Sequence, residues 1–294
     1  MKAKKKKKFS ISTLILTILL FVGLSVMLYP TFSDWWNSKV QTRAVGNYDQ
    51  TVAAIDTSEQ ERMLQEAIDF NARLAQMYAP LSTTDQLTDY ETILDVSGTG
   101  IMGYVTIPVI KVELPIYHGT GESVLNIAAG HLKGTSFPIG GASTHAVISA
   151  HRGLPSARLF TDIDKLVVGD TFTVTVLKEI FTYEVEEILI VLPNEVDKLA
   201  IIPNEDKVTL MTCTPYGVNT HRLLVRAHRI DTEYARSVLI SADCVQVDPM
   251  LVVPIISAPL LIGLIIFWIV GSKKRENVIP MDNPLSILPG REDT

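Results

Sequence analysis

Two cysteines and six histidines are the residues best equipped for covalent chemistry in this 294-residue chain. Cys213 closes the run Lys207-Val208-Thr209-Leu210-Met211-Thr212, whose β-branched content reads as a strand. A thiol at a strand end, with histidines elsewhere in the chain, is a candidate nucleophile. Its thiolate is the reactive form, and an imidazole can take and return the proton. A small buried thiol packed as an apolar residue is the competing reading. Cys244 stands shortly before an apolar block and reads as an incidental thiol; both cysteines are expected to be free. None of His118, His131, His145, His151, His221 and His228 lies in a Cys-x-x-Cys or His-Glu-x-x-His arrangement. No metal or organic cofactor is therefore expected. Walker, dinucleotide and Gly-x-Ser-x-Gly motifs are missing too, so phosphoryl transfer, hydride transfer and serine hydrolysis have no sequence support. A formal net charge of -6 and the lack of a basic or aromatic pattern speak against nucleic acid as a partner.

Strands must position such a thiol. Residues 103–107, 146–150, 171–176, 181–185, 207–212 and 223–227 are short, rich in β-branched residues and separated by Gly, Pro and Asp/Asn turns. That spacing predicts an antiparallel barrel or sandwich. Alternation puts Thr209, Met211 and Cys213 on one face of their strand and Val208, Leu210 and Thr212 on the other.

The local wording then points to a family. Residues 209–213 read Thr-Leu-Met-Thr-Cys, and 213–222 read Cys-Thr-Pro-Tyr-Gly-Val-Asn-Thr-His-Arg. This resembles the sortase signature, in which one strand ends in Cys and an Arg opens the next. Residues 144–155, Thr-His-Ala-Val-Ile-Ser-Ala-His-Arg-Gly-Leu-Pro, resemble the sortase strand that ends at the catalytic His. Gly100-Ile101-Met102-Gly103-Tyr104, Leu114-Pro115-Ile116-Tyr117-His118-Gly119-Thr120 and Gly130-His131-Leu132 are similar to class C, pilus-assembling sortases. The resemblance covers about residues 95–232.

That resemblance implies a closed antiparallel β-barrel of the sortase type, with an N-terminal helical extension. It implies Cys213 as nucleophile, His151 as proton donor and acceptor, and Arg222 as stabiliser of the substrate carbonyl and transition state. The physics suits each role: a neighbouring cation favours a thiolate, and a forked, permanently charged guanidinium can hold an oxyanion. The turn from 214 to 221 holds Pro215 and Gly217 and can return Arg222 to the side of Cys213. Arg226 and Arg229 are the other candidate cations, and Arg152 reads as a surface or structural charge. The implied reaction cleaves Leu-Pro-x-Thr-Gly-like C-terminal sorting signals. The implied partners are pilin or other surface proteins bearing such signals, and the acceptor is a lysine amine of a pilin. The alternatives are an enzyme that joins surface proteins to peptidoglycan, and an inactive binding module tethered to the membrane.

Two apolar blocks of about 20 residues, 9–28 and 249–270, carry no formal charge and suit membrane helices. Lys2 and Lys4 to Lys8 precede the first; Lys273, Lys274 and Arg275 follow the second. Cationic flanks stay in the cytoplasm, so both termini are expected inside and the intervening region outside. The expected layout is a basic tail (1–8), a membrane helix (9–29), an extracellular helical extension with a short lid or none (30–95), the catalytic barrel (96–235), a linker (236–248), a second membrane helix (249–271) and a cytoplasmic tail (272–294). Within the extension, Met63, Ala67, Phe70, Leu74 and Met77 form one apolar stripe, and Ser58 with Glu61 reads as a capping box. The Asp-Pro-aromatic lid triplet that class C enzymes often carry does not occur between Tyr78 and Gly100, so a short or absent lid is expected, with Asp85 or Asp89 facing the site as the weaker alternative.

Overall fold

The computed structural model describes residues 11–232 together with 259 and 261–263. Pro259 and residues 261–263 are helical. The rest of the expected second membrane helix, Cys244, the lysine run and the C-terminal tail lie outside the described residues.

Helix α1, Ile11–Ala54, contains one stretch long and apolar enough to cross a membrane. It does not stop at residue 29, where the sequence suggested the span would end. Pro30 is accommodated within it, as prolines in membrane helices commonly are. Beyond Pro30 the helix continues because its last turns have a face to bury: Tyr48 and Val52 join the barrel core, with Ala44 packed against it. Helix α2, Thr57–Leu74, buries Met63, Ala67, Phe70 and Leu74, the stripe read from the sequence. Its N-cap is Asp56, not the expected Ser58. The Asp56 carboxylate accepts from the Glu59 amide at 2.9 Å, and Ser58 donates its hydroxyl to the same carboxylate. A carboxylate accepts more strongly than a hydroxyl and also suits the positive end of the helix, so it takes the cap.

Eight strands form a closed barrel: β1 (Ile101–Ile107), β2 (Val112–His118), β3 (Ala129–His131), β4 (Thr144–Ser149), β5 (Thr171–Val176), β6 (Glu179–Val191), β7 (Asp206–Thr214) and β8 (His221–Ile230). They close in the order β1-β2-β3-β4-β7-β8-β6-β5. The barrel is not wholly antiparallel. β2 runs parallel to β3, and β4 runs parallel to β7. Parallel neighbours need a crossover, which β5 and β6 supply between β4 and β7, and the short helix α3 (Glu122–Leu125) between β2 and β3. Alternation sorts the strand residues: Ile148, Val208, Leu210, Val225 and Ala227 join the main core, with Phe172 and Val174. Val147 and Leu224 join a second cluster on the outer wall, together with Val191 and Leu199.

Candidate active site

The outer wall of β4, β7 and β8 is ordered in layers. At its base, Lys207 pairs with Glu186 at 2.5 Å and with Glu205 at 2.9 Å, and Arg226 holds Glu186 and Glu187. His145 is buried beside them, 2.7 Å from the Thr209 hydroxyl and 2.9 Å from the Ala200 carbonyl. Burial lowers its pKa. Above lies the apolar cluster of Val147, Val191, Leu199 and Leu224, with Leu189 and Met211 packed against it.

The residues singled out by sequence stand above that cluster. In the antiparallel register of β7 and β8, Cys213 lies opposite Arg222. In the parallel register of β4 and β7, Ser149 lies opposite Met211. The chain keeps this alignment just past β4: the Ala150 amide donates to the Met211 carbonyl at 3.2 Å, and the Thr212 hydroxyl donates to the Ala150 carbonyl at 2.8 Å. Two residues beyond Ser149, His151 is therefore level with Cys213. His151, Cys213 and Arg222 stand abreast on three neighbouring chains, each half-buried.

The side chains of Cys213 and Arg222 share a face because both strands alternate in register. Thr209 and Met211 alternate outward with Cys213, and Leu224 and Arg226 with Arg222. Cys213 is a free thiol. The Arg222 guanidinium donates to the Asn219 carbonyl at 3.3 Å and to the His221 carbonyl at 3.1 Å, so it rests on its own turn. The other candidate cations are committed elsewhere. Arg226 is neutralised by Glu186 and Glu187, and Arg229 lies over the rings of Phe181 and Tyr183 at 4.7 and 5.7 Å. This arrangement has the parts for acyl transfer: a thiol, an imidazole and a fixed cation, on a rigid sheet and over an apolar floor.

The remaining histidines serve the fold. His118 lies 2.9 Å from the Gly100 carbonyl and 2.8 Å from that of Ile93. His131 is stacked with Tyr90 and Phe137. His221 contacts Thr220, and His228 lies 3.4 Å from Glu186.

Two features escaped the sequence reading. Leu81, on the 3-10 turn Pro80–Ser82, packs on the apolar cluster, so the extension covers part of this face. Asp89 does not turn toward the site, because it is paired with Arg73 of α2. Arg152, next to His151, is the structural charge of its two sequence readings. It pairs with Asp164, reaches the Thr214 hydroxyl at 3.4 Å and lies over the Tyr216 ring at 5.9 Å. The only sequence signal for it was its place beside a candidate catalytic residue.

Comparison with known proteins points to one family. The Sortase domain model matches residues 105–230. Sortase C1 of Streptococcus agalactiae is 45% identical, with a TM-score of 0.60 over 65% of this chain and 99% of that one. Sortase C of Streptococcus pneumoniae, a structure described in terms of pilin substrate specificity, is 42% identical, with a TM-score of 0.59 over 64% of this chain and 97% of that one. Among curated proteins, sortase A of Streptococcus agalactiae is 32% identical over 130 residues, 43% of this chain and about half (52%) of that protein.

Proposed function

Because the chain belongs to the sortase family of cysteine transpeptidases, we propose that it cleaves a Leu-Pro-x-Thr-Gly-like sorting signal at Cys213 and passes the acyl group to a lysine amine of a pilin. The Cys213 thiolate attacks the Thr carbonyl carbon. The Thr–Gly C–N bond breaks, and His151 gives its proton to the departing glycine amine. The product is a thioester on Cys213. The lysine amine then attacks the thioester carbonyl, yields a proton to His151 and expels the thiolate, leaving an isopeptide bond. Arg222 carries the negative charge that builds on the carbonyl oxygen in both steps. No electrons change hands, and the reaction needs no cofactor.

The observation that carries this reading is the Cys213–Arg222 register pair of β7 and β8, with His151 two residues beyond the Ser149–Met211 pair of β4 and β7. The pilin acceptor is supported by likeness to an enzyme described with pilin substrates. The apolar stretch of α1 supports a membrane anchor. With the lysine run before it and a second span at 249–271, both termini would be cytoplasmic and the barrel extracellular.

The test is mass spectrometry on the full-length protein in detergent, with sorting-signal peptides and lysine-bearing pilin fragments. The expected result is a Cys213 thioester that accumulates without amine and passes to lysine when the fragment is added. Transfer only to glycine or cell-wall amines would replace the pilin reading with wall anchoring. No Cys213 adduct with any peptide would sink the enzymatic reading.

A further inference from the structure

The two segments that present His151 and Cys213 are joined by contacts that the reaction itself does not use. Arg152 follows His151, and Thr214 follows Cys213. The Arg152 side chain is only 11% exposed. One guanidinium nitrogen pairs with Asp164, on the 3-10 turn Ile163–Lys165, and the other reaches the Thr214 hydroxyl. The guanidinium plane lies over the ring of Tyr216 in the β7–β8 turn. Tyr216 itself is 59% exposed. Gly153 fits closely against the same ring: a Cβ there would stand 3.0 Å from it, and its φ of +76° already excludes most side chains. The same segment is fastened from behind. The Phe160 amide donates to the His151 carbonyl at 3.1 Å, and the Gly153 amide to the Thr161 hydroxyl at 3.1 Å.

We propose that Arg152 is a positioning residue that latches the His151 segment to the Cys213 turn through Thr214 and Tyr216, and thereby sets the His151–Cys213 separation for acyl transfer. This rests on the reading of Cys213 and His151 as nucleophile and proton partner. Parallel hydrogen bonding between β4 and β7 ends at Ala150 and Thr212, just short of both residues. Past that pair, side chains can take over the alignment. Arginine suits the task because its planar fork engages two partners at its edges and an aromatic ring on its face at once. Lysine, a single point charge, cannot make all three contacts. Reaction geometry is sensitive enough for this to matter: a displacement of about 1 Å can cost on the order of a hundredfold in rate.

The test uses full-length protein in detergent and four variants: Arg152→Ala, Arg152→Lys, Tyr216→Ala and the Arg152→Ala/Tyr216→Ala double. Two quantities are read: kcat and KM for peptide cleavage, and the rate of Cys213 alkylation by iodoacetamide, which needs no substrate. Each alanine variant is expected to lower kcat by roughly 10- to 100-fold, with KM within about threefold of the parent. The double variant should be little worse than the worse single, because one contact is broken either way. Arg152→Lys should recover only a minor part of the loss. Tyr216 lies on an exposed turn, so Tyr216→Ala tests the latch even if Arg152→Ala fails to fold. Unchanged kcat in Tyr216→Ala, losses that multiply in the double variant, or a raised KM at constant kcat would each overturn the proposal. If the parent protein forms no thioester, it is the proposed function that fails. Alkylation then decides the latch separately: coupled losses in the two alanine variants uphold it, and independent ones reject it.

Discussion

Cys213 and Arg222 are directly opposed residues of the antiparallel β7–β8 pair, one register step from the turn that joins the strands. Both are half-buried, and the guanidinium is parked on the carbonyls of Asn219 and His221. In the proposed reaction it is the cation that meets the attacked carbonyl. Arg222→Ala should lower kcat/KM by about 100- to 1,000-fold, the usual cost of losing one oxyanion donor. The loss should fall mainly on kcat, with little change in thermal stability. Steady-state kinetics alongside a melting curve checks this. A loss confined to KM would instead mark Arg222 as a ground-state binding residue.

His131 makes stability depend on pH. It is fully buried, and burial lowers its pKa to about 4 from the ordinary 6.5. One ring nitrogen lies 2.9 Å from the Tyr90 hydroxyl and the other 2.8 Å from the Ser136 carbonyl. Between the two pKa values the unfolded chain binds a proton that the folded chain refuses. Stability is thus complete above about pH 6.5 and falls as pH drops toward 4, by at most on the order of 3 kcal/mol. His145, also buried with a lowered pKa, acts in the same direction. Denaturation at a series of pH values between 7.5 and 4.5 should show this slope. His131→Gln should begin less stable and show a shallower slope, and an unchanged slope would remove His131 as its source.

Two glycines should respond in opposite ways to alanine. Gly130, in β3, faces the backbone of Gly119, and a Cβ there would stand 2.2 Å from the Gly119 carbonyl oxygen. Backbone cannot yield as a flexible side chain would, so Gly130→Ala should cost about 3 kcal/mol. Gly46 sits inside α1 with nothing within 4 Å of an added Cβ. Gly46→Ala should stabilise by roughly 0.5–1 kcal/mol. Thermal denaturation of both variants measures the contrast. Equal effects would mean that the backbone at Gly130 relaxes.

What the sequence made legible was local. The period of two told which face of β7 carries Cys213, and the Pro215–Gly217 turn foretold that Arg222 returns to it, as the register has it. The stripe of α2 was legible because burial every three or four residues leaves a periodic mark. The parallel pairing of β4 with β7 was not, since nothing in residues 144–149 says which strand, more than fifty residues away, they will meet. The same distance hid the partners of Arg152. Asp164 is 12 residues off and Thr214 is 62, and no periodicity links them. The length of α1 was missed because hydropathy marks where a membrane segment ends, whereas the helix persists through contacts with the barrel.

Those contacts lead to a last prediction, which joins helix α1 to the loop that follows His151. Shortly beyond the apolar stretch of α1, Asp34 accepts from the Arg158 amide at 2.8 Å, and Asn37 donates to the Ser156 carbonyl at 2.7 Å. Both partners of the helix, Arg158 and Ser156, lie in the segment that leaves His151. Further along, Tyr48 donates to the Met102 carbonyl at 2.9 Å and accepts from the Leu177 amide at 2.8 Å. Tyr48 therefore anchors the helix to the barrel, while Asp34 and Asn37 brace the loop. The Asn37 brace is one hydrogen bond, so Asn37→Ala should cost only about 1 kcal/mol in global stability. The local effect should be larger: amide exchange across residues 154–158 should speed up by roughly tenfold, while that of β7 and β8 stays constant. Hydrogen–deuterium exchange read by mass spectrometry separates the two regions. Faster exchange throughout the barrel would mean that the residues support the whole fold, and no change at 154–158 would show that the loop holds its shape without the helix.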